Sequence, residues 1–422
     1  MKTLLRNAYI LSMEDNKDIF YGEVAIDDNI IVYAGLKKKW DIKFDQVIDC
    51  EKNLLMPAFK NAHTHSAMTF LRSAADDLPL KRWLFEAVFP AEKKLLPSDM
   101  YYLSKLAFLE YLTSGISTCF DMYFHPLEFK KAAEEMGMRA VILGMRNEYT
   151  SKEQMKEYIQ TFKGLVTYLP GFHSEYTVDR PEFDDIAEIT NELHVGTYTH
   201  LSETSLEVEE CKARRNGMTP IEYLTSINLF NYGGACFHCN YLTDHDIEIF
   251  KERHIGVVTC PGSNTKLGSG ICDVKRLLDN DILVAIGTDG PASNNCLDMF
   301  KEMTLVYSLA KVSHLDSSII SPREVLKMAT VNGSVILGLD NIKTISENNV
   351  ADIIMIDLHK PNMRPFNNIE KNIVYAGSKD NVKMTMVNGK ILYMNGEFLI
   401  NEDIDEIYNK CQEITDRILR DK

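Results

Sequence analysis

The sequence predicts an α/β fold, a (β/α)₈ TIM-like barrel with a small β-sandwich formed by both chain ends. Three observations predict it. Short apolar β segments alternate with helical stretches through the middle of the chain, and eight such strands can be counted. Both ends instead read as β-strands separated by turn residues. The composition, 45% hydrophobic and 25% charged over 422 residues, supplies a large core and excludes a disordered or fibrous chain. The expected organisation is 1–56 as the N-terminal part of the sandwich, 57–345 as the barrel, and 346–422 as the C-terminal part with a terminal amphipathic helix.

At the N-terminal end, YGEVAID, NIIVYAGL and QVIDCEKNLLM carry β-branched residues with Asp, Asn and Gly between them. The barrel then opens on LLMPAFKNAHTH. A helical run from Ser98 to Gly115 leads into ISTCFDMY, and one over Leu127–Gly137 into RAVILGM. A helix from Lys152 precedes LPGFHSE, and PEFDDIAEITNELHVG precedes TYTHLSE. Helical stretches within Ser205–Ile227 precede GGACFHC, TDHDIEIFKERHIG precedes VVTCPGS, and DVKRLLDND precedes ILVAIGTDG. Ser, Thr or Asp opens several of these helices and Gly closes several. Further helices are expected from Leu297 to Leu337. Beyond them ADIIMID reads as a strand, and MTMVNGKILYM places Asn388–Gly389 between two apolar runs, a hairpin signal.

The formal charge of −15 argues against a nucleic-acid or anionic-membrane surface, each of which needs a basic footprint. No stretch reaches the ~18 apolar residues of a membrane span. Arg6 and Asn7 interrupt the first apolar run, so it does not read as a secretory signal. The nine cysteines, odd in number, are taken as scattered with no C-x-x-C pair among them, which reads as reduced thiols in the cytoplasm.

Barrels of this kind work at the C-terminal ends of their strands. Reading the polar residues there gives His63 and His65, then Asp121, Arg146, His173, His200 with Glu203, His238, Ser263 with Asn264, and Asp289. Five of the eleven histidines fall at strand ends. His63-Thr64-His65 has strand spacing, so both imidazoles project to one face. That dipeptide spacing alone more often means two unrelated imidazoles. Joined by His200 and Asp289 from other strands, it points to one divalent metal, zinc or iron, with an open position for water. Glu203 reads equally as a proton shuttle over the metal and as a helix-start carboxylate favoured by the helix dipole. Asp289, in GTDG, is either a turn residue or the polar end of the last strand.

PAFKNAHTH, HLSETSLEVEE with GMTPIEYL, CPGSNTKLGSG and GTDGPASNN, framed by MKTLLRNAYILSM and VADIIMID, resemble the amidohydrolase superfamily over nearly the whole chain. Within it they are similar to the 5′-methylthioadenosine/S-adenosylhomocysteine deaminase branch. The resemblance implies His63, His65, His200 and Asp289 as metal ligands, Glu203 as proton shuttle, and His238 beside the attacking water. It implies Trp83 as an aromatic wall, Glu92 as a carboxylate for ribose hydroxyls, and Arg146, His173 and Ser293 as substrate contacts. His173 stands where two-metal relatives carry a bridging lysine, which implies a single metal. The substrate is then a small-molecule purine nucleoside, an adenosine derivative deaminated hydrolytically to its inosine analogue and ammonia. Relatives of this kind are often homo-oligomers, though no stripe in the sequence marks an interface.

Three departures from the family pattern stand out. Glu175 replaces a proline in GFHSEYT and is expected to put a negative charge near the rim. Ala58 and Lys60 occupy the first strand where small and apolar residues are usual. Arg146 has no clear second arginine in NEYTSKEQMKEY, so neutral 5′ substituents, as in methylthioadenosine or 5′-deoxyadenosine, fit better than an amino-acid tail. Two alternatives stay open at this stage: an aminohydrolase of a free base or heterocycle (guanine, pterin or triazine), for which Glu92 would be idle, and a catalytically silent, metal-stabilised barrel.

Overall fold

The eight strands expected in the middle of the chain form as parallel strands. The computed structural model describes residues 1–420 apart from Ala75 and Glu148. Phe59–Thr64, Ile116–Met122, Arg139–Gly144 and Val166–Pro170 pair in that order, as do Thr197–Leu201, Gly234–His238, Ile255–Thr259 and Val284–Ile286. Backbone bonds join the two groups of four at both seams. Phe172 N–H donates to the Tyr198 carbonyl at 3.2 Å, and Asp289 N–H to the His63 carbonyl at 3.0 Å. At the second seam Asn61 also clasps Thr288, accepting from its N–H at 2.8 Å and donating to its hydroxyl at 2.7 Å. A Cβ on Gly287 would come within 2.9 Å of the His63 backbone, so only glycine permits this approach.

Strands covered on both faces read as continuous apolar runs. Ala62, Phe120, Val141, Phe237, Val258 and Ala285 fill the barrel interior, while a larger cluster lies between strands and helices. The helices start where the sequence places capping residues. Thr204, Thr219, Thr243 and Ser321 each accept a backbone N–H three residues on, and Gly137 ends its helix at φ +73°. The segment between the first strand and Pro97–Thr113 escaped the sequence reading, because its short pieces have no sustained period. It includes a π-helical stretch, Trp83–Val88.

Strands from both chain ends join in one nine-stranded sheet. Leu54–Pro57 pairs on one side with Lys2–Ile10 and on the other, antiparallel, with Ile353–Ile356. Val24, Ile26, Ile353, Met355, Met384 and Met386 meet in one apolar cluster. The Asn388–Gly389 hairpin forms between Val382–Val387 and Lys390–Met394, both turn residues at positive φ. The terminal helix Ile404–Leu419 packs on Pro97–Thr113. Among the described residues no helix is long and apolar enough to cross a membrane.

Lys60, unusual for its place in the first strand, has a specific role at the closed end of the barrel. It is fully buried, donates to the Ala58 carbonyl and to Ser117 Oγ, and lies 3.8 Å from Asp352. Asp352 also takes two bonds from Arg139 at 3.0 and 3.1 Å and the Asn388 N–H at 2.7 Å. Two cations from barrel strands thus share one carboxylate at the start of an interior strand of the end sheet. Burial pushes the Lys60 amine down to about 8, Asp352 opposing and Arg139 adding to the shift.

Removing the carboxylate leaves both buried cations unpaired, so Asp352→Ala is expected to cost about 3–5 kcal/mol, read as a lowered urea midpoint. A lysine held below its usual 10.5 disfavours the folded state while protonated. Stability of the native protein relative to Lys60→Met should therefore rise as pH climbs through about 8, and a flat difference between pH 7 and 10 would refute this assignment.

Candidate active site

His63 and His65 sit at the end of the first strand, His200 at the end of the fifth, and Asp289 just past the eighth. One ligand atom from each falls within 4.8 Å of the others, and all four residues are buried. Carbonyl acceptors orient two of the rings. His65 Nδ1–H donates to Met122 O at 2.6 Å and His200 Nδ1–H to His173 O at 2.7 Å, so each presents Nε2 to the centre. His63 lies flat against Phe237, centroids 3.8 Å apart, and both its ring nitrogens are buried without a hydrogen-bond partner. An orphaned buried imidazole among two oriented imidazoles and a carboxylate fits a bound divalent cation, for which these four residues would be the ligands. Burial holds His63 and His200 well below the usual imidazole range, in the neutral form that ligates. At Asp289 burial acts upward, but the His65 hydrogen bond and the neighbouring imidazoles prevail and hold the carboxyl well below its usual range.

Glu203 follows the fifth strand, ahead of the Thr204 cap. The Glu207 carboxylate, one turn into the following helix, accepts the N–H groups of Ser202 and Glu203, both at 2.8 Å, and so fixes that turn. Ser269 Oγ donates to Glu203 Oε1 at 2.9 Å. Burial raises the proton affinity of Glu203. His238 Nδ1–H donates to Asn264 Oδ1 at 2.8 Å, an amide oriented by its own bond to Asn240 at 2.9 Å. The free Nε2 of His238 is 3.9 Å from Glu203 Oε2 and 3.9 Å from Asp289 Oδ2. Ser202, His238 and Asp289 all adopt positive φ, between +50° and +68°. Strained backbone at strand ends is a feature of sites held by their surroundings.

A cavity of about 240 Å³ opens over this cluster. Trp83, Leu84 and Phe89 form an apolar wall, with Glu92 among them. Tyr123 donates its hydroxyl to Glu92 Oε1 at 2.6 Å, and burial pushes that carboxyl up to about 7. His173 lines the cavity with Nδ1 2.8 Å from Thr177 Oγ1. Arg146 lines it too, with its guanidinium paired to Asp185 at 3.1 Å. Ser293 is not brought to the cavity: it is buried under the Asp289 turn, donating to the Gly290 carbonyl at 3.1 Å.

Two expectations need correction. Glu175 puts no free charge at the rim, because it is fully buried and accepts from Arg214 at 2.5 Å and Arg215 at 2.8 Å. The cysteines are less scattered than their irregular spacing implies, since Cys236 and Cys239 bracket His238 in C-x-x-C spacing. Both are buried, and burial pushes the Cys239 thiol far up, which makes it a packing group. Sequence reading also missed Glu207, Ser269 and the part played by Asn264. The last two lie in CPGSNTKLGSG, a segment already conspicuous as a motif.

The chain matches the amidohydrolase family over residues 54–392. It is 37% identical to a 5-methylthioadenosine/S-adenosylhomocysteine deaminase of Halothermothrix orenii, covering 99% of this chain and 96% of that protein. A protein of the same name from Pyrococcus furiosus is 36% identical over 95% of this chain and 97% of its own length. The crystal structure of an adenosine deaminase from Xanthomonas campestris with bound zinc superposes with a TM-score of 0.93 at 28% identity, covering 99% of both chains. The motif residues, the strand-end cluster and these full-length similarities agree, and the chain belongs to the amidohydrolase family.

Proposed function

We propose that this protein is a cytoplasmic zinc-dependent deaminase that converts adenosine derivatives, of the methylthioadenosine, 5′-deoxyadenosine or S-adenosylhomocysteine type, to inosine analogues and ammonia. The observation that carries the reading is His238 Nε2 lying 3.9 Å from two carboxylates, Glu203 and Asp289, beside the four-ligand cluster. The names of the full-length relatives and the zinc in the Xanthomonas structure support it. Nine unpaired cysteines support a reducing compartment.

His63, His65, His200 and Asp289 would hold the cation. When bound, it supplies Lewis-acid activation of water, whose pKa it can lower from ~15.7 toward ~7. The carboxylate of Asp289 takes a proton from the attacking water and passes it to the departing ammonia, while the C6 hydroxyl proton returns to Glu203 as the carbonyl forms. Glu203, whose proton affinity burial raises, is the group placed to donate a proton to N1 of the purine as water adds at C6, so the ring never bears a full negative charge. Ser269 keeps the Glu203 carboxyl turned to the cavity. His238, its Nδ1–H committed to Asn264, offers Nε2 to the water and holds the attacking oxygen. Glu92, fixed by Tyr123, receives the ribose hydroxyls, with Trp83 packing alongside.

Ammonia release from a panel of 5′-deoxyadenosine, methylthioadenosine, S-adenosylhomocysteine, adenosine, adenine and guanine should be confined to the nucleosides, and turnover of free bases alone would overturn the ribose assignment. Glu203→Gln is expected to lower kcat about 10²–10⁴-fold with the metal retained; near-full turnover in a metal-loaded variant would refute the shuttle. Glu92→Gln should raise KM for nucleosides more than it lowers kcat. Chelation should abolish turnover and also lower Tm, because a cation bound only to the folded state stabilises it by mass action.

A further inference from the structure

The loop Gly171–Val178 meets the site twice. The His173 carbonyl accepts the His200 Nδ1–H at 2.7 Å, the His200 N–H at 3.0 Å and the Thr199 hydroxyl at 3.1 Å. The His173 ring, 4.7 Å from that of His200, lines the cavity with Tyr176 and Thr177. Glu175 lies between these contacts. It is a fully buried carboxylate whose two oxygens are taken by Arg214 and Arg215, at the far end of helix Ser205–Arg214. Arg215 is itself seated over the Tyr223 ring, 4.0 Å from its centroid. The near end of the same helix holds the Glu203 turn through Glu207. One helix therefore grips the Glu203 turn at its start and the His173 loop at its end, and Glu175 is the point of attachment to the loop.

A buried carboxylate held by two guanidinium groups is a rigid tie, since charge-assisted bonds to planar donors restrict both angle and distance. Neither Glu175 nor the arginines belong to the chemistry described above. We propose that Glu175 is a positioning residue: the Arg214–Glu175–Arg215 brace sets the His173 carbonyl that orients the His200 imidazole, and so sets the cation affinity of the site. The inference rests on the proposed metal site. It adds a determinant two residues along the loop from the His173 carbonyl, buried beneath it, that a proline at position 175 could not supply.

The test uses the full chain stripped of metal and titrated with zinc against a chromophoric chelator, with cobalt(II) loading for ligand-field spectra. Glu175→Gln and the double variant Arg214→Ala/Arg215→Ala are expected to bind zinc about tenfold more weakly, the lower end of the range for groups that orient a ligand. Their cobalt bands should shift. Arg214→Lys/Arg215→Lys, which keeps the charge but loses the planar fork, should also weaken zinc binding, by less than the alanine double. A merely structural role would lower the Tm of the metal-free variants and leave zinc affinity and cobalt bands unchanged, which overturns the proposal. Should Glu175→Gln not fold, the two arginine doubles decide by the same readouts. A native protein that binds no zinc would overturn the metal reading itself, whereas native binding with unaltered variants would overturn only the brace.

Discussion

Everything at the open end of the barrel answers to one constraint: three imidazoles and a carboxylate must converge within 4.8 Å in a buried space. Uncompensated, such a group of polar atoms is costly to bury. The chain meets the requirement by taking the ligands from strands one, five and eight, whose ends the closed sheet holds in fixed relation. Each ring is then pinned from behind by a carbonyl or a phenylalanine face. Even the eighth strand, three residues long, is located by its seam with the first, where the Asp289 N–H meets the His63 carbonyl.

The same logic separates rigid groups from titrating ones. The acceptors that orient His65, His200 and His238 are two carbonyls and an amide oxygen, none of them ionisable, so the bond that fixes each ring does not change with protonation nearby. The carboxyls with raised proton affinity, Glu92 and Glu203, face the cavity, each with one oxygen held by a protein hydroxyl. Glu207, also pushed up to about 7, is spent on backbone N–H groups and serves the geometry of its neighbour.

Much of this was legible in the sequence because it depends on period and position. Continuous apolar runs marked the strands, capping residues marked the helices, and histidines at strand ends marked the rim. The Asn388–Gly389 hairpin was legible for the same reason: its turn conformation demands those residues. What the sequence concealed depends on long-range pairing of polar groups. Glu175 read as a charge at the rim because nothing local indicates that Arg214 and Arg215 fold back onto it. Lys60 read as an oddity because Asp352 lies far along the chain. Ser293 matched a motif, yet the tight turn after Asp289 directs its hydroxyl to Gly290 instead of the cavity. Ser269 acts through one hydrogen bond and Glu207 through two, and no spacing announces them.

The Lys60–Asp352–Arg139 cluster has a consequence for the order in which the molecule can be made. Arg139 and Asp352 are 213 residues apart, and Leu54–Pro57, the strand leading into the barrel, has Ile353–Ile356 as one of its two neighbours. A ribosome delivers the first barrel strand early and its counter-charge late. Until the segment around Asp352 has emerged, the growing chain carries two cations bound for an interior with no anion to receive them, and a sheet edge with no strand to cover it. The closed end of the barrel is thus sealed only once the segment around Asp352 has been made, and a chain released before it lacks both the charge and the strand that seal it.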